Sequence, residues 1–418
     1  MYNYSYTSFF FLLLLPLFLS GCNKKNRQPN FLIIISNTHD TKMFSIYDNR
    51  FIETPNLDKL AKDGAVFRNA FISNYNVDCN KAALLTGKHI LSSHHLFDND
   101  DAGNKQASFL KVLKDVGYQT MVFGQWYPEG QSLKYDTFDI SKVRREDVRS
   151  HQCNNDLITR KAINWLSNKG HSQPFCLIVN YDSGFLNHKS SKGGSNNQSL
   201  SSSMADESKS NLEIGNSYQE YIASIDKNIG NILNYMDNGG MIKNTAMLYT
   251  SLQGNTINDV KAKEHHVKHE QTMRIPLIIK YSELIKPIDI CELAQTIDIA
   301  PTLVDLAGLE VPSVMRGMSL RPHLEYKSAS SRNEIYFHYS DSCNINNPVL
   351  HYGIHTGRYK LIYYNHSNQW ELYDLENDPD ELKNLYDDDN SQVLIKHLKV
   401  RLHKIKRDYS MQNDKRII

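Results

Sequence analysis

From Asn30 to Ser36 the chain reads Asn-Phe-Leu-Ile-Ile-Ile-Ser, a continuous apolar, β-branched run with a polar exit. A strand with no polar alternation is covered on both faces, which predicts a central strand of a parallel sheet. A helical period follows over Asn56 to Gly64, where Leu57, Leu60 and Ala61 share one face and Gly64 supplies the stop. Val66-Phe67 predicts a short strand. Ser108 to Val116 is amphipathic, with Phe109, Leu110, Leu113 and Val116 inward and Ser108 as the cap. Buried strands are predicted at Tyr118 to Gly124, Phe175 to Asn180 and Ala246 to Thr250, and helices at Asp156 to Leu166 and Tyr218 to Met236. Strand and helix in turn predict an α/β sandwich.

Two stretches break that alternation. His188 to Ser210 is rich in Ser, Asn, Gly and Lys with almost no apolar residues, which predicts a surface loop. From about Ile335 the chain turns to short aromatic strands, Glu334 to Tyr339, Tyr359 to Tyr364 and Trp370 to Leu375, followed by a helix from Val393 to Lys406. These predict a small antiparallel sheet plus helix. The division is therefore a main α/β domain over 30–333 and a C-terminal subdomain over 334–418.

Composition narrows the partners. With 418 residues, 40% of them hydrophobic, and a net charge of +1, the chain can bury a large core and carries no bias toward nucleic acid. Phe9 to Leu19 is apolar but too short to span a bilayer, and Leu19-Ser20-Gly21-Cys22 closes it with small residues before a cysteine. This reads as a bacterial lipoprotein signal over 1–21, with Cys22 lipidated and 22–29 a polar tether to the cell envelope; another cleaved signal or an uncleaved anchor is the alternative. The leader Met1 to Ser8 departs from the usual pattern in having no Lys or Arg. The remaining cysteines, Cys79, Cys153, Cys176, Cys291 and Cys343, are scattered without a Cys-x-x-Cys pair, so they suggest neither zinc nor redox work. One or two disulfides or buried thiols both remain open.

Several segments resemble the sulfatase family. They are Glu53-Thr54-Pro55-Asn56-Leu57-Asp58-Lys59-Leu60, Gly64 to Ala70, Ala82-Ala83-Leu84-Leu85-Thr86-Gly87-Lys88, Ala223 to Gly230, Thr272 to Ile279 and Asp298 to Leu303. The C-terminal pair, Arg358-Tyr359-Lys360-Leu361-Ile362 and Glu371 to Glu381, is similar almost residue for residue. The resemblance covers nearly the whole mature chain. It implies an alkaline-phosphatase-like fold with a large mixed, mostly parallel sheet, and it implies sulfuric ester hydrolysis on calcium with a formylglycine nucleophile made from cysteine.

The positions that would carry that chemistry are altered. Against the family's Cys-x-Pro-Ser-Arg stand Val77-Asp78-Cys79-Asn80-Lys81, so the nucleophile position holds Val77 and the arginine position Lys81. Against the metal carboxylates stand Asn37 and Thr38 after the first strand, and Leu252 and Gln253 after the Ala246 strand. Against Gly-Lys-Trp-His stand Gly124-Gln125-Trp126-Tyr127, and against Ala-Pro-His stand Ser183-Gly184-Phe185, with His188 nearby. Calcium held by neutral oxygens alone is weak, because most of its attraction is charge on charge. Asp40 is a possible replacement ligand but reads as a solvated turn residue, and Cys79 as a small buried filler. His265, His266 and His269, like His89, His94 and His95, read as solvated loop positions rather than a metal site.

The losses fall together on one function while the landmarks of the fold remain. The expectation is a lipid-anchored, inactive sulfatase-like protein with no cofactor and with a sulfated glycan or a protein as its partner. The alternatives are an active sulfate or phosphate ester hydrolase rebuilt on Cys79, Asp40 and the His265 region, and a structural membrane-anchored protein.

Overall fold

The computed structural model describes residues 28–47, 52–89, 108–124, 126, 136–138, 151–168, 173–181, 204–254, 270–327, 331–339 and 351–410. In chain order the larger part runs β1 (Asn30–Ser36), α1 (Pro55–Lys62), β2 (Ala65–Phe71), α2 (Val77–Thr86), α3 (Phe109–Asp115), β3 (Gln119–Gly124), β4 (Asp136–Phe138), α4 (His151–Asn168), β5 (Phe175–Tyr181), α5 (Met204–Asn238), β6 (Thr245–Ser251), α6 (Glu270–Met273), β7 (Leu277–Lys280), β8 (Ile288–Gln295), α7 (Ile299–Leu306) and α8 (Arg321–Leu324). The smaller part runs β9 (Ile335–Tyr339), β10 (His351–His355), β11 (Tyr359–Tyr364), β12 (Gln369–Asp374) and α9 (Gln392–Ser410).

Eight strands form one sheet in the order β4-β3-β5-β1-β6-β7-β2-β8, and β9 to β12 form an antiparallel sheet in reverse order. The large sheet is parallel except at β7, which runs antiparallel to β6 and β2. β1 sits between β5 and β6, so its uninterrupted apolar run is explained by cover on both faces. Phe31, Ile33 and Ile35 enter the core shared with α2, α3 and α7, while Leu32 and Ile34 enter the core shared with α1, α4 and α5. A third apolar cluster lies between the small sheet and α9, with Ile395, Leu398 and Leu402 against Ile354, Leu361 and Leu372. Among the described residues no helix is long and apolar enough to cross a membrane.

The predicted α/β sandwich with its small antiparallel sheet is the observed architecture. Several boundaries differ, each for a physical reason. Val116 is the C-terminal cap of α3 and 42% exposed rather than inward, because the helix ends before the face repeats. The strand predicted at Val66-Phe67 extends to Phe71, since Arg68 reaches Asp289 and the Asn69 amide donates to the Cys291 carbonyl across a register shift in the β2–β8 pairing. The loop expected up to Ser210 is already helical from Met204, because elongating an existing helix costs far less than starting one. Residues 182–203 lie outside the described ones. Strands β4, β7, β8 and β10 carry little periodic signal of their own and are defined by their neighbours in the sheets.

The segments that carry the family resemblance are joints. Asp226 on α5 accepts from the backbone N–H groups of Asn56 (3.1 Å) and Leu57 (2.8 Å), locking α5 onto the start of α1. Buried Asp298 accepts from the N–H groups of Gln295 (2.7 Å) and Met318 (2.8 Å) and pairs with Arg332. Arg358 grips Asp374 with two bonds of 3.1 and 2.9 Å across the β11–β12 hairpin.

Candidate functional site

In an open α/β sheet, ligands bind beyond the carboxyl ends of the strands. Here β1 and β6 end side by side, and α2 begins next to them. The two strand ends are zipped past their last regular pair: Leu252 N–H donates to Ser36 O (3.0 Å) and His39 N–H to Gln253 O (3.0 Å). Asn37 N–H donates to Tyr181 O (3.2 Å), which ties the β5 end to the same place.

α2 starts at Val77 because Asn76 caps it, its side-chain oxygen accepting from the N–H groups of Asp78 (3.0 Å) and Cys79 (3.2 Å). Val77 is half-buried against the core, and Gly87 closes the helix in the left-handed conformation at φ 65°. Lys81 has a side chain only 6% exposed, and its ammonium lies 3.4 Å from Asp78. Cys79 is fully buried with Ala82, Ala83 and Ile297, as expected of a filler. Cys79, Cys176 and Cys291 are thiols.

Asn80, a residue without a reading in the sequence, ties this corner together. Its amide donates to Leu252 O (2.9 Å), and its oxygen accepts from Ser73 N–H (3.3 Å) and Ser73 Oγ (3.2 Å). The available signal was a lone amide just before the apolar Ala82-to-Leu85 stretch of the helix, a polar group that must find partners when buried. Leu252 itself is 0% exposed and belongs to the core under α2 and α3. Gln253 spends its amide on Tyr75 O (2.9 Å).

Beside the pair at 37 and 38, His39 is buried between Phe44 and Tyr249 rings, and its Nδ1 is 2.5 Å from the Tyr249 hydroxyl, which donates to Ser36 Oγ (3.2 Å). Burial lowers its imidazole to about 3, so the ring is neutral near pH 7. Asp40 is in a turn, as predicted, but it is 1% exposed rather than solvated. It caps the turn at Thr41–Met43 by accepting from Lys42 N–H (2.8 Å), and its own N–H donates to Tyr218 (2.9 Å). His89 also departs from the solvated reading. It is buried against Tyr336 with its pKa pushed well down by burial, then by His338 and Arg332.

The structure thus brings Asn37, Thr38, Leu252 and Gln253 to adjoining strand ends, with Val77 and Lys81 on the helix stitched to them. Gln125, Tyr127, Ser183, Gly184, Phe185, His188, His94, His95, His265, His266, His269, Cys22 and Cys343 lie outside the described residues. Calcium takes six to eight oxygens, and its carboxylates supply most of the binding energy. At these positions the corner offers an apolar side chain facing the core at Leu252 and neutral oxygens at Asn37, Thr38 and Gln253, so the four residues bring no carboxylate to the ion. Among the described residues no group of three His, Cys, Asp or Glu side chains is placed to hold a metal.

The order of elements and the two sheets agree with the fold of known proteins. The Sulfatase family profile matches residues 29–309, and the profile described as N-sulphoglucosamine sulphohydrolase, C-terminal, matches 263–408. The chain belongs to the sulfatase family. It is 27% identical to an N-acetylglucosamine-6-O-sulfatase of Bacteroides thetaiotaomicron, over 90% of this chain and 87% of that protein. A solved structure of a protein with its substrate D-glucosamine-2-N,6-O-disulfate superposes with a TM-score of 0.73 at 25% identity, covering 94% of this chain and all of that one. A 2-O GAG sulfatase reaches a TM-score of 0.76 at 20% identity, over 91% and 92% of the two chains, a likeness of fold.

Proposed function

We propose that this sulfatase-family chain is a lipid-anchored protein of the bacterial cell envelope that binds a sulfated glycan without hydrolysing it. The observation that carries the reading is the corner at the ends of β1 and β6. Where the family resemblance places metal carboxylates, Leu252 is packed into the core and Gln253 is bonded to a backbone carbonyl. The nucleophile position is Val77, a side chain with no lone pair. A sulfate ester carries full negative charge on its oxygens, and cleaving it calls for a Lewis acid and an attacking group. Among the described residues, the positions that the resemblance assigns to these roles hold side chains that supply neither. The relatives' names point to sulfated glucosamine as the first ligand to try. Cys22 after its apolar leader supports the anchor.

The test is isothermal titration of heparin-type oligosaccharides carrying N- and 6-O-sulfates, paired with a sulfate-release assay at stoichiometric protein. Binding with no release is the expected result. Release that Lys81→Ala or Cys79→Ala abolishes, with the fold intact by circular dichroism, would establish the ester hydrolase instead; no binding to any sulfated glycan would leave the structural role. Cys22→Ser is expected to move the protein from the membrane fraction to the soluble one.

A further inference from the structure

We infer that the corner which holds metal carboxylates in the family pattern has become, in this chain, an intramolecular joint that keeps the fold together without a divalent cation. The joint has three parts. Leu252 N–H to Ser36 O and His39 N–H to Gln253 O, both 3.0 Å, continue the β1–β6 pairing past the strand ends. Asn80 to Leu252 O and Gln253 to Tyr75 O, both 2.9 Å, fasten α2 and the segment leading into it to β6. The Leu252 side chain then fills the space beneath, in the same apolar cluster as Leu84, Leu85 and Met273. Just beyond, Gly254 is pinned by its N–H to Thr272 O (2.9 Å), with so little room that a Cβ would stand 2.0 Å from Gln271 O.

Carboxylates gathered at strand ends repel one another, and a cation that relieves the repulsion adds its binding free energy to folding. Asn37, Thr38, Leu252 and Gln253 carry no charge. With no carboxylate at these four positions, hydrogen bonds and packing do the holding. The inference stands apart from the binding proposal, since it holds whether or not a glycan occupies the cleft, and its readout is melting rather than binding or sulfate release.

The experiment is thermal unfolding of the purified full mature chain at pH 7 in EDTA and in millimolar calcium, for the natural protein, Gln253→Ala and Asn80→Ala. The expected result is one melting temperature for the natural protein in both buffers, and a fall of roughly 1–4 °C for Gln253→Ala in either buffer. Asn80→Ala removes three contacts and is expected to fall further. If Asn80→Ala does not fold, Gln253→Ala still decides, because it removes one partly exposed amide. A melting temperature that drops in EDTA or climbs in calcium would overturn the inference, as would Gln253→Ala melting with the natural protein.

Discussion

His39 is the residue whose protonation is most sharply decided by its surroundings. Unfolded, its imidazole takes a proton below about pH 6.5; folded between Phe44 and Tyr249, it resists until about 3. Through that window acid favours the unfolded chain, so the histidine contributes a loss of stability, up to about 1.4 kcal/mol per pH unit, as pH falls from 6.5 toward 3. His39→Gln is expected to flatten this acid limb. Urea midpoints at pH 7, 5.5 and 4.5 check it, and equal slopes in variant and natural protein would refute it. His89, buried and pushed in the same direction, keeps part of the slope in the variant.

At the scale of the element, α1 illustrates how a sequence landmark can be a fastening. Thr54, the residue just before it, makes no capping bond from its side chain, which instead donates to Asp58 (3.0 Å). The cap comes from 170 residues away, where Asp226 of α5 receives Asn56 N–H, Leu57 N–H and the Asn56 amide. One turn on, Gly230 allows the close approach, since a Cβ there would lie 2.6 Å from the Asn56 side-chain oxygen. Asp226→Ala strands two helix-end N–H groups and is expected to cost about 1–3 kcal/mol, measured by urea unfolding at pH 7. A loss indistinguishable from zero would mean the α1–α5 contact is held by its apolar face alone.

Across the whole molecule, the two sheets are joined by buried charge. Lys360 of β11, fully buried, lies 2.5 Å from Glu381 and 4.0 Å from Glu270 of α6, while His355 of β10 sits 3.1 Å from Glu270. Gly357 N–H donates to His355 Nδ1 (2.9 Å), so the proton that faces Glu270 is on Nε2. Burial pushes the Glu270 carboxyl up, but His355, Lys360 and Arg274 together outweigh it and hold it at about 2. A carboxyl held below its ordinary 4.5 gives stability that is complete above pH 4.5 and lost as pH falls toward 2. Lys360→Met leaves Glu270 and Glu381 facing each other without their shared cation. The expected cost is roughly 3–5 kcal/mol at pH 7, read by chemical unfolding, with a smaller loss on acidification between pH 4.5 and 2.

The sequence by itself determined the α/β class, the buried central strand and the small aromatic sheet, because hydrophobic period and β-branching are local properties that survive any arrangement of neighbours. It also determined that Val77 and Leu252 have no chemistry to offer, since a side chain without a lone pair lacks one in every fold. Tertiary structure alone decided what replaced the missing groups. That Asn80 reaches Leu252 and Ser73, that Gln253 turns onto Tyr75, and that Asp40 and His89 are buried depend on segments distant in the chain. Strands β4, β8 and β10 were hidden for the same reason: partly polar, they become strands only through the partners that accept their hydrogen bonds, and pairing between distant segments leaves no period in a single chain.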